Sequence, residues 1–521
     1  MSETITLNNI GNQGLSSDPM NWTLPPEFIT YGKNFRIYAG SIISSGGVSE
    51  FASAPSGWYP AFITHVGSLS SSYWIIAGRT KVYVLSGSTW TDITSTAGYS
   101  TLGTDGELLW NSCQIGSIPI LNNIQHFPEY WSPQQITQIM QPLMFDAVNT
   151  WSAKGYSANV FRSHKNFLFA LNLAEGGTSY KDSFRWSHPA DINGLPATWD
   201  ETDDAFLAGK ASLGGNYGDI IDGKTLRDSF VIYSETGINV LDYTFDELVW
   251  RRRELSSSVG LLSKNCVTEV KGTHFLLSDG DVVSNDGTTI KSIAYNRIKK
   301  EITARIDTVN YNRCYTVKND KSKEIWFCIP DLGADYPNLA YIYNWYDDSW
   351  SVRDLLEDTA FSNYGTETVD LPIWSTNVLN WNTDTSTWGA SPVNPLDDTI
   401  LGINITEEKV YYMDPDSPDG NINFTIERLA FPLIDDRQVT TITRVYPHIQ
   451  GPGTVMIEFG SHDFPDSPVR WKPAMLFDPN SNRKIDIRTT GELHAWRFTS
   501  VDKSPITMSG MTIEFERGGL R

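Results

Sequence analysis

The stretch from Gly218 to Trp250 reads "GDIIDGKTLRDSFVIYSETGINVLDYTFDELVW", and two incompatible structures compete for it. Its first eight residues satisfy a phosphate-loop pattern: a glycine, four residues, then Gly-Lys-Thr. Such a loop needs a strand, a turn whose bare amides wrap the phosphates, and a helix whose positive end faces the same anion. The four intervening positions instead hold Asp219, Ile220, Ile221 and Asp222, two carboxylates and two stiff β-branched side chains. No helix pattern follows. Phe230 to Tyr233 and Ile238 to Leu241 read as strands joined by a Ser-Glu-Thr-Gly turn. The stretch is therefore expected to form a short strand at residues 220–221, an Asp-Gly hairpin turn at 222–223, and return strands, with Lys224 exposed at the end of the turn.

The surrounding composition extends that reading to the whole chain. Aromatics make up 12% of the 521 residues, with 18 Trp and 23 Tyr set among Ser, Thr, Asn and 40 Gly, the palette of half-buried strands and tight turns. Helical patterning is nearly absent: the best run, "SPQQITQIMQPLM" from Ser132, is broken by Pro142 and leaves room for a short helix only. The fold class expected is all-β. Asp plus Glu total 61 against 40 Lys plus Arg, a net charge of -21, so the surface as a whole repels nucleic acid and anionic membrane. Cys113, Cys266, Cys314 and Cys328 are scattered, with neither a paired spacing nor an apolar signal peptide upstream, and read as reduced core residues of a protein folded in a cytoplasm. No apolar run is long enough to span a bilayer.

Three textures divide the chain. Residues 1–50 are extended and irregular, interrupted by Pro25 and Pro26, and are expected to pack with the C-terminal part. From 51 to 398, pairs and triplets of strands recur, each ending in a turn and often in a tryptophan, as in "YWIIAGRTKVYVLSGSTW" and "EIWFCIPDLGADYPNLAYIYNWYDDSW". Antiparallel four-stranded modules with loop insertions give that rhythm, and a β-propeller closes them without exposed edges. Five to seven blades are compatible with the spacing. From 399 to 521 longer alternating strands, such as "GTVMIEFGSH" and "ELHAWRFTSV", indicate a separate β-sandwich-like domain.

Residues able to carry chemistry are present without the settings that chemistry needs. Asp200, Glu201, Asp203 and Asp204 cluster in a turn-rich segment without a nearby histidine, as in a solvated loop. Asp414, Asp416 and Asp419 before Gly420 suggest a calcium loop, but Pro418 falls at a ligand position and the closing glutamate is out of register. The eight histidines lack zinc-type spacing, and there is no Gly-x-Ser-x-Gly elbow. "GSTW" at Gly87–Trp90 matches half of a sialidase aspartate box, with Leu85 where the aspartate belongs. No catalytic, metal or cofactor residue is therefore assigned. The most basic run, Arg251, Arg252 and Arg253 on a strand, fits either a phosphate-gripping gate or pairing with acids on a neighbouring strand or subunit, and in so acidic a chain pairing is favoured.

Several segments together resemble the tail tube or nozzle (hub) proteins of short-tailed, podovirus-type bacteriophages, also called phage stabilisation proteins. They are "LPPEFITYGKNFRIYAGSII" with its turns at Asn34 and Gly40, "LLWNSCQIGSIPILNN" (108–123), "FRWSHPADINGLPATW" (184–199) and residues 218–243. The closest likeness is in "VGLLSKNCVTEVKGTHFLLSDGDVVSNDGTTIKSIAYNRI" (259–298) and "YIYNWYDDSWSVRDL" (341–355). It continues in "GTVMIEFGSHDFPDSPVRWKPAMLF" and "GMTIEFERGGLR". The resemblance runs through most of the chain in order; its motifs mark turns and strand cores and transfer no catalytic residue. It implies a structural virion protein made in the host cytoplasm and forming a ring, usually of six subunits, below the portal and adaptor. Genomic DNA passes through that ring without sequence-specific binding, and tail fibres or spikes dock outside. The competing reading, from a different class, is a propeller-type tail protein that binds or cleaves glycans.

Overall fold

Residues 218–256 form four antiparallel strands, Ile220–Leu226, Ser229–Ser234, Ile238–Tyr243 and Trp250–Ser256. The Ser-Glu-Thr-Gly turn is present, closed by the Ser234 N–H donating to the Gly237 carbonyl at 2.8 Å. The Asp-Gly turn is not. Asp222 and Gly223 lie inside the first strand, and the chain reverses at Arg227 and Asp228, where Arg227 adopts φ 53°. Local Asp-Gly propensity loses to a tertiary contact, because the Asp222 carboxylate is held by Arg162 of the preceding sheet. The two glycines of the phosphate-loop match have other reasons to be there. Gly218 sits at φ 73°, the left-handed region, and a Cβ on Gly223 would lie 2.6 Å from the Phe230 ring and 2.9 Å from Leu171.

The computed structural model describes residues 2–518 apart from 68–71, 100–109, 133–138, 193, 247, 369–392, 414–420, 435–437 and 466. The short helix expected before Pro142, and the aspartates at 414, 416 and 419, lie wholly or partly outside the described residues. Among those described, the four-stranded unit repeats as seven sheets. Numbered as blades 1 to 7, they span residues 60–92, 110–142, 156–212, 220–256, 267–292, 315–354 and 359–412. The last takes its outermost strand, Ser49–Ser53, from near the N-terminus, paired antiparallel with Lys409–Tyr412. The ring closes where blade 7 meets blade 1: the Asn363 amide donates to the Ile63 carbonyl, and the Phe62 and Phe361 rings lie 4.7 Å apart. The chain is thus an all-β protein built on a seven-bladed propeller. Large side chains fill the space between blades; Trp58, Trp131, Trp151, Trp199, Trp326 and Trp350 are all fully buried, and Trp151 meets Trp199 edge-on at 4.9 Å.

The propeller boundary needs correction. Strands Val393–Asn404 and Lys409–Tyr412 belong to blade 7, so the propeller runs past 398 to 412. The remaining C-terminal strands form two six-stranded sheets, one centred on Thr440–Gln450 and Thr507–Arg517, the other on Val455–His462 and Leu493–Ser500. Their alternation is clear in Ile485–Gly491, where every second residue is buried. The N-terminal segment completes both sheets: Ser2–Asn8, Phe35–Tyr38 and Ser41–Ser44 join the first, and Tyr31–Lys33 joins the second. Between these strands, Gly14–Leu15 and Phe28–Ile29 extend the sheet of blade 6.

That segment fuses sandwich to propeller. Asn34, at φ 61°, donates to Asp354 of blade 6 and to the Asn423 carbonyl at 3.0 Å each, and its own N–H donates to Val352 at 2.7 Å. Beside it Arg36 and Glu324 form a buried ion pair at 2.8 Å. One continuous apolar core runs from blades 4, 5 and 6 through Ile29, Phe35, Ile37 and Ile42 into Ile457, Phe498 and Ile513 of the sandwich.

Candidate functional site

The first strand of each blade lines the propeller axis, so residues on these seven strands face one another although they lie far apart in sequence. They enclose a cavity of about 270 Å³. Part of its lining is a clasp spanning four blades. Arg162 of blade 3 donates Nε and Nη2 to the two oxygens of Asp222 in blade 4, each at 2.8 Å. The same guanidinium reaches the Asn265 side chain, just before blade 5, at 2.9 Å and the Ser112 carbonyl of blade 2 at 2.9 Å. Asp222 is filled from its other side by the N–H groups of Gly223 and Asn265, at 2.7 and 2.8 Å. Burial alone would raise its pKa, but the Arg162 charge and these hydrogen bonds outweigh it and hold the carboxyl below the ordinary range.

Asp222 is the sole carboxylate among the described residues lining the cavity, and it is saturated. Cations outnumber it. Lys318 of blade 6 lines the wall and pairs with Asp320 at 2.9 Å. Lys224, two residues beyond Asp222 on the same strand, also faces the cavity, and among the described residues it has neither an ion pair nor a hydrogen-bond acceptor. Burial, reinforced by the Arg162 charge, lowers its pKa to about 8. Nearby Lys264 is lowered by burial to about 7. The Thr316 hydroxyl, on the blade 6 wall, is buried with no partner among the described residues. Cys113 also lines the cavity, and burial pushes its thiol up to about 12, which keeps it protonated and unreactive.

Apart from Asp222, Lys224 and Cys113, which line the cavity, the residues singled out from sequence lie elsewhere. Arg251, Arg252 and Arg253 are exposed on Trp250–Ser256, the outermost strand of blade 4, and Arg253 pairs with Asp242 on the adjacent strand at 3.0 Å. Glu201 does not belong to a free acidic loop: with Glu175 it flanks Arg185, whose side chain is 2% exposed, while Asp200 and Asp203 cap turns through Thr202 and Ala205. His164 and His274 are buried, hydrogen-bonded and lowered to about 4, so they are neutral core residues. Among the described residues no three His, Cys, Asp or Glu converge to hold a metal. Trp90 of the aspartate-box fragment packs edge-on to Trp58 and Tyr83. No helix among the described residues is long and apolar enough to cross a membrane.

Sequence reasoning missed Arg162, Asn265, Lys318 and Thr316, and it placed Lys224 at an exposed turn. The available signal was positional: a charged residue within the first strand of several successive repeats has nowhere to point but the axis or a neighbouring blade.

Neither a protein-family model nor a curated protein matches the chain. Solved structures similar to it include the Pan2 WD40 domain of Neurospora crassa, 7% identical with a TM-score of 0.37, covering 71% of this chain and 94% of that one. The CNH domain of AfRom2 is 8% identical with a TM-score of 0.36, over 71% and 99%. An exo-β-1,3-galactanase from Phanerochaete chrysosporium, solved with galactose, is 10% identical with a TM-score of 0.28, over 83% and 100%. Likenesses this distant carry no functional argument, and the propeller is read from the sheets themselves.

Proposed function

We propose that the protein is a non-catalytic structural component of a short phage tail, forming the tube or nozzle ring through which the genome is retained and then ejected. The observation that supports this most is where the resembling segments fall. Residues 24–43, 259–298, 341–355 and the two C-terminal stretches occupy the N-terminal segment, blades 5 and 6 and the sandwich strands, which share the continuous core. The other resembling segments, 108–123, 184–199 and 218–243, fall in blades 2, 3 and 4, so the likeness follows the architecture of the whole chain and includes the residues that join propeller to sandwich, as expected of an architectural family.

In this reading DNA runs between subunits. A cavity of about 270 Å³ is far too small for a duplex, so the propeller axis is not the conduit. A wall that lets a genome slide must avoid phosphate neutralisation, since each Lys or Arg contact adds binding free energy through counterion release. A chain of net charge -21, repeated about six times around a ring, supplies a repelling wall. The glycan-cleaving alternative is weaker, because glycoside hydrolysis uses two carboxylates about 5–10 Å apart, and the described cavity wall holds one, already saturated.

Negative-stain imaging and native mass measurement test the ring, and a structure of the assembled ring identifies the residues of its lumen. Six-fold rings, alone or on portal complexes, with a lumen lined mainly by acidic and neutral residues, are the expected result. A protein monomeric both alone and in particles, or a lumen lined throughout by Lys and Arg, overturns it.

A further inference from the structure

Independently of that reading, we propose that the axial cavity of the propeller is a binding site for a small, multiply charged oxyanion of the sulfate or phosphate class, held by Lys224, Lys318 and the Thr316 hydroxyl. The cavity is lined by the first strands of seven blades and has room for such an ion together with water. Its lining carries three cations, Arg162, Lys224 and Lys318, against one carboxylate, Asp222. Arg162 is bound to Asp222 and Lys318 to Asp320, which leaves the Lys224 ammonium without an ion pair or a hydrogen-bond acceptor among the described residues; Asp222 and Glu269 act on it only through space, and Glu269 accepts the Gly272 N–H at 2.6 Å. The Thr316 hydroxyl, buried without a partner among the described residues, lines the same cavity. An ammonium without an acceptor and a buried hydroxyl without a partner on the wall of one cavity are two halves of an anion site, and an oxyanion satisfies both. This is not a phosphate loop: Lys224 acts from the middle of a strand, with no helix behind it.

The Lys224 charge sets the pH dependence. The charged groups facing it are Arg162, Asp222, Lys318 and Glu269, with Lys264 beside the clasp. Of these, Lys224, lowered to about 8, loses its proton between pH 7 and 9, while Lys264, lowered to about 7, is already half titrated at the start of that range, so anion affinity falls across it.

Titration calorimetry and thermal melting of the full chain with sodium sulfate or pyrophosphate, against chloride at matched ionic strength, test the assignment at pH 7. Sulfate has no proton to lose in this range, so its pH series reports the protein alone. The expected results are saturable binding with a raised melting temperature, weaker by up to about tenfold at pH 9. Affinity should fall at least tenfold in Lys224→Met and severalfold in Thr316→Val. Arg251→Met, on the outer surface, should bind as the parent does. Thr316→Val and the pH series carry the test should Lys224→Met fail to fold. No saturable binding of either anion, equal binding by Thr316→Val and the parent, or an affinity unchanged from pH 7 to 9 overturns the proposal.

Discussion

Replacing Arg162 by Met strips the four-blade clasp of its cation while keeping most of the side chain's volume. Asp222, whose side chain is 1% exposed, loses two charge-assisted hydrogen bonds and keeps only the Gly223 and Asn265 N–H donors. Such bonds are worth about 1.5–3 kcal/mol each, and removing one partner of a buried pair costs about 3–5 kcal/mol, so the expected loss is about 3–5 kcal/mol. The double variant Arg162→Met with Asp222→Asn removes the stranded charge and should recover about 2 kcal/mol or more. The sign of the pH dependence is diagnostic. In the parent, Asp222 sits below the ordinary carboxylate range, so its contribution is complete at neutral pH and is lost only as pH falls through that lowered value. Without Arg162, burial raises the Asp222 pKa, and the penalty should grow as pH rises from about 4 to 7. Urea unfolding followed by tryptophan fluorescence measures both effects. A loss under about 1 kcal/mol, or a deficit independent of pH, would refute the clasp as a structural keystone.

Three further outcomes follow from the geometry. Gly223→Val should cost about 1–3 kcal/mol by overpacking against Phe230 and Leu171, read as a lower urea midpoint with an unchanged slope. Asn34→Ala removes the amide bridge between blade 6 and the sandwich and strains a φ of 61°, so it should lose about 2–3 kcal/mol; Asn34→Gly, which relieves the strain, should lose less, as measured in the same assay. Lys224, ordinarily near 10.5 and lowered to about 8 here, means that the unfolded chain binds more protons between those values; the parent should therefore gain stability relative to Lys224→Met as pH rises from 8 to 10.5, by about 3 kcal/mol at most in anion-free buffer.

The sequence disclosed these features unevenly, for physical reasons. Period-two alternation and turn residues revealed an all-β chain, because strands such as Ile485–Gly491 bury one face against a single core. Blade number was hidden, because the outermost strand of blade 7 comes from Ser49–Ser53, and no local pattern announces a partner so remote. The Asp222–Gly223 turn was misread because turn propensity is local, whereas the pull of Arg162 comes from a residue 60 positions away. The cavity residues were invisible individually for the same reason. Lys224, Thr316 and Lys318 meet only once the ring is closed, and none belongs to a contiguous motif.

The ring is completed by a strand that is synthesised early and used late. Ser49–Ser53 leaves the ribosome about 360 residues ahead of Lys409–Tyr412. At roughly 5–20 residues per second it waits on the order of 20–70 seconds for its partner. During that interval the earlier blades can stack, but the circle stays open and its terminal edges are unpaired. Those edges can recruit a strand from another nascent chain, giving a swapped or aggregated product in place of a closed ring. The yield of folded protein is accordingly a race between ring closure and intermolecular capture, one that slower synthesis of the wrong segment, or a crowded polysome, tilts toward capture.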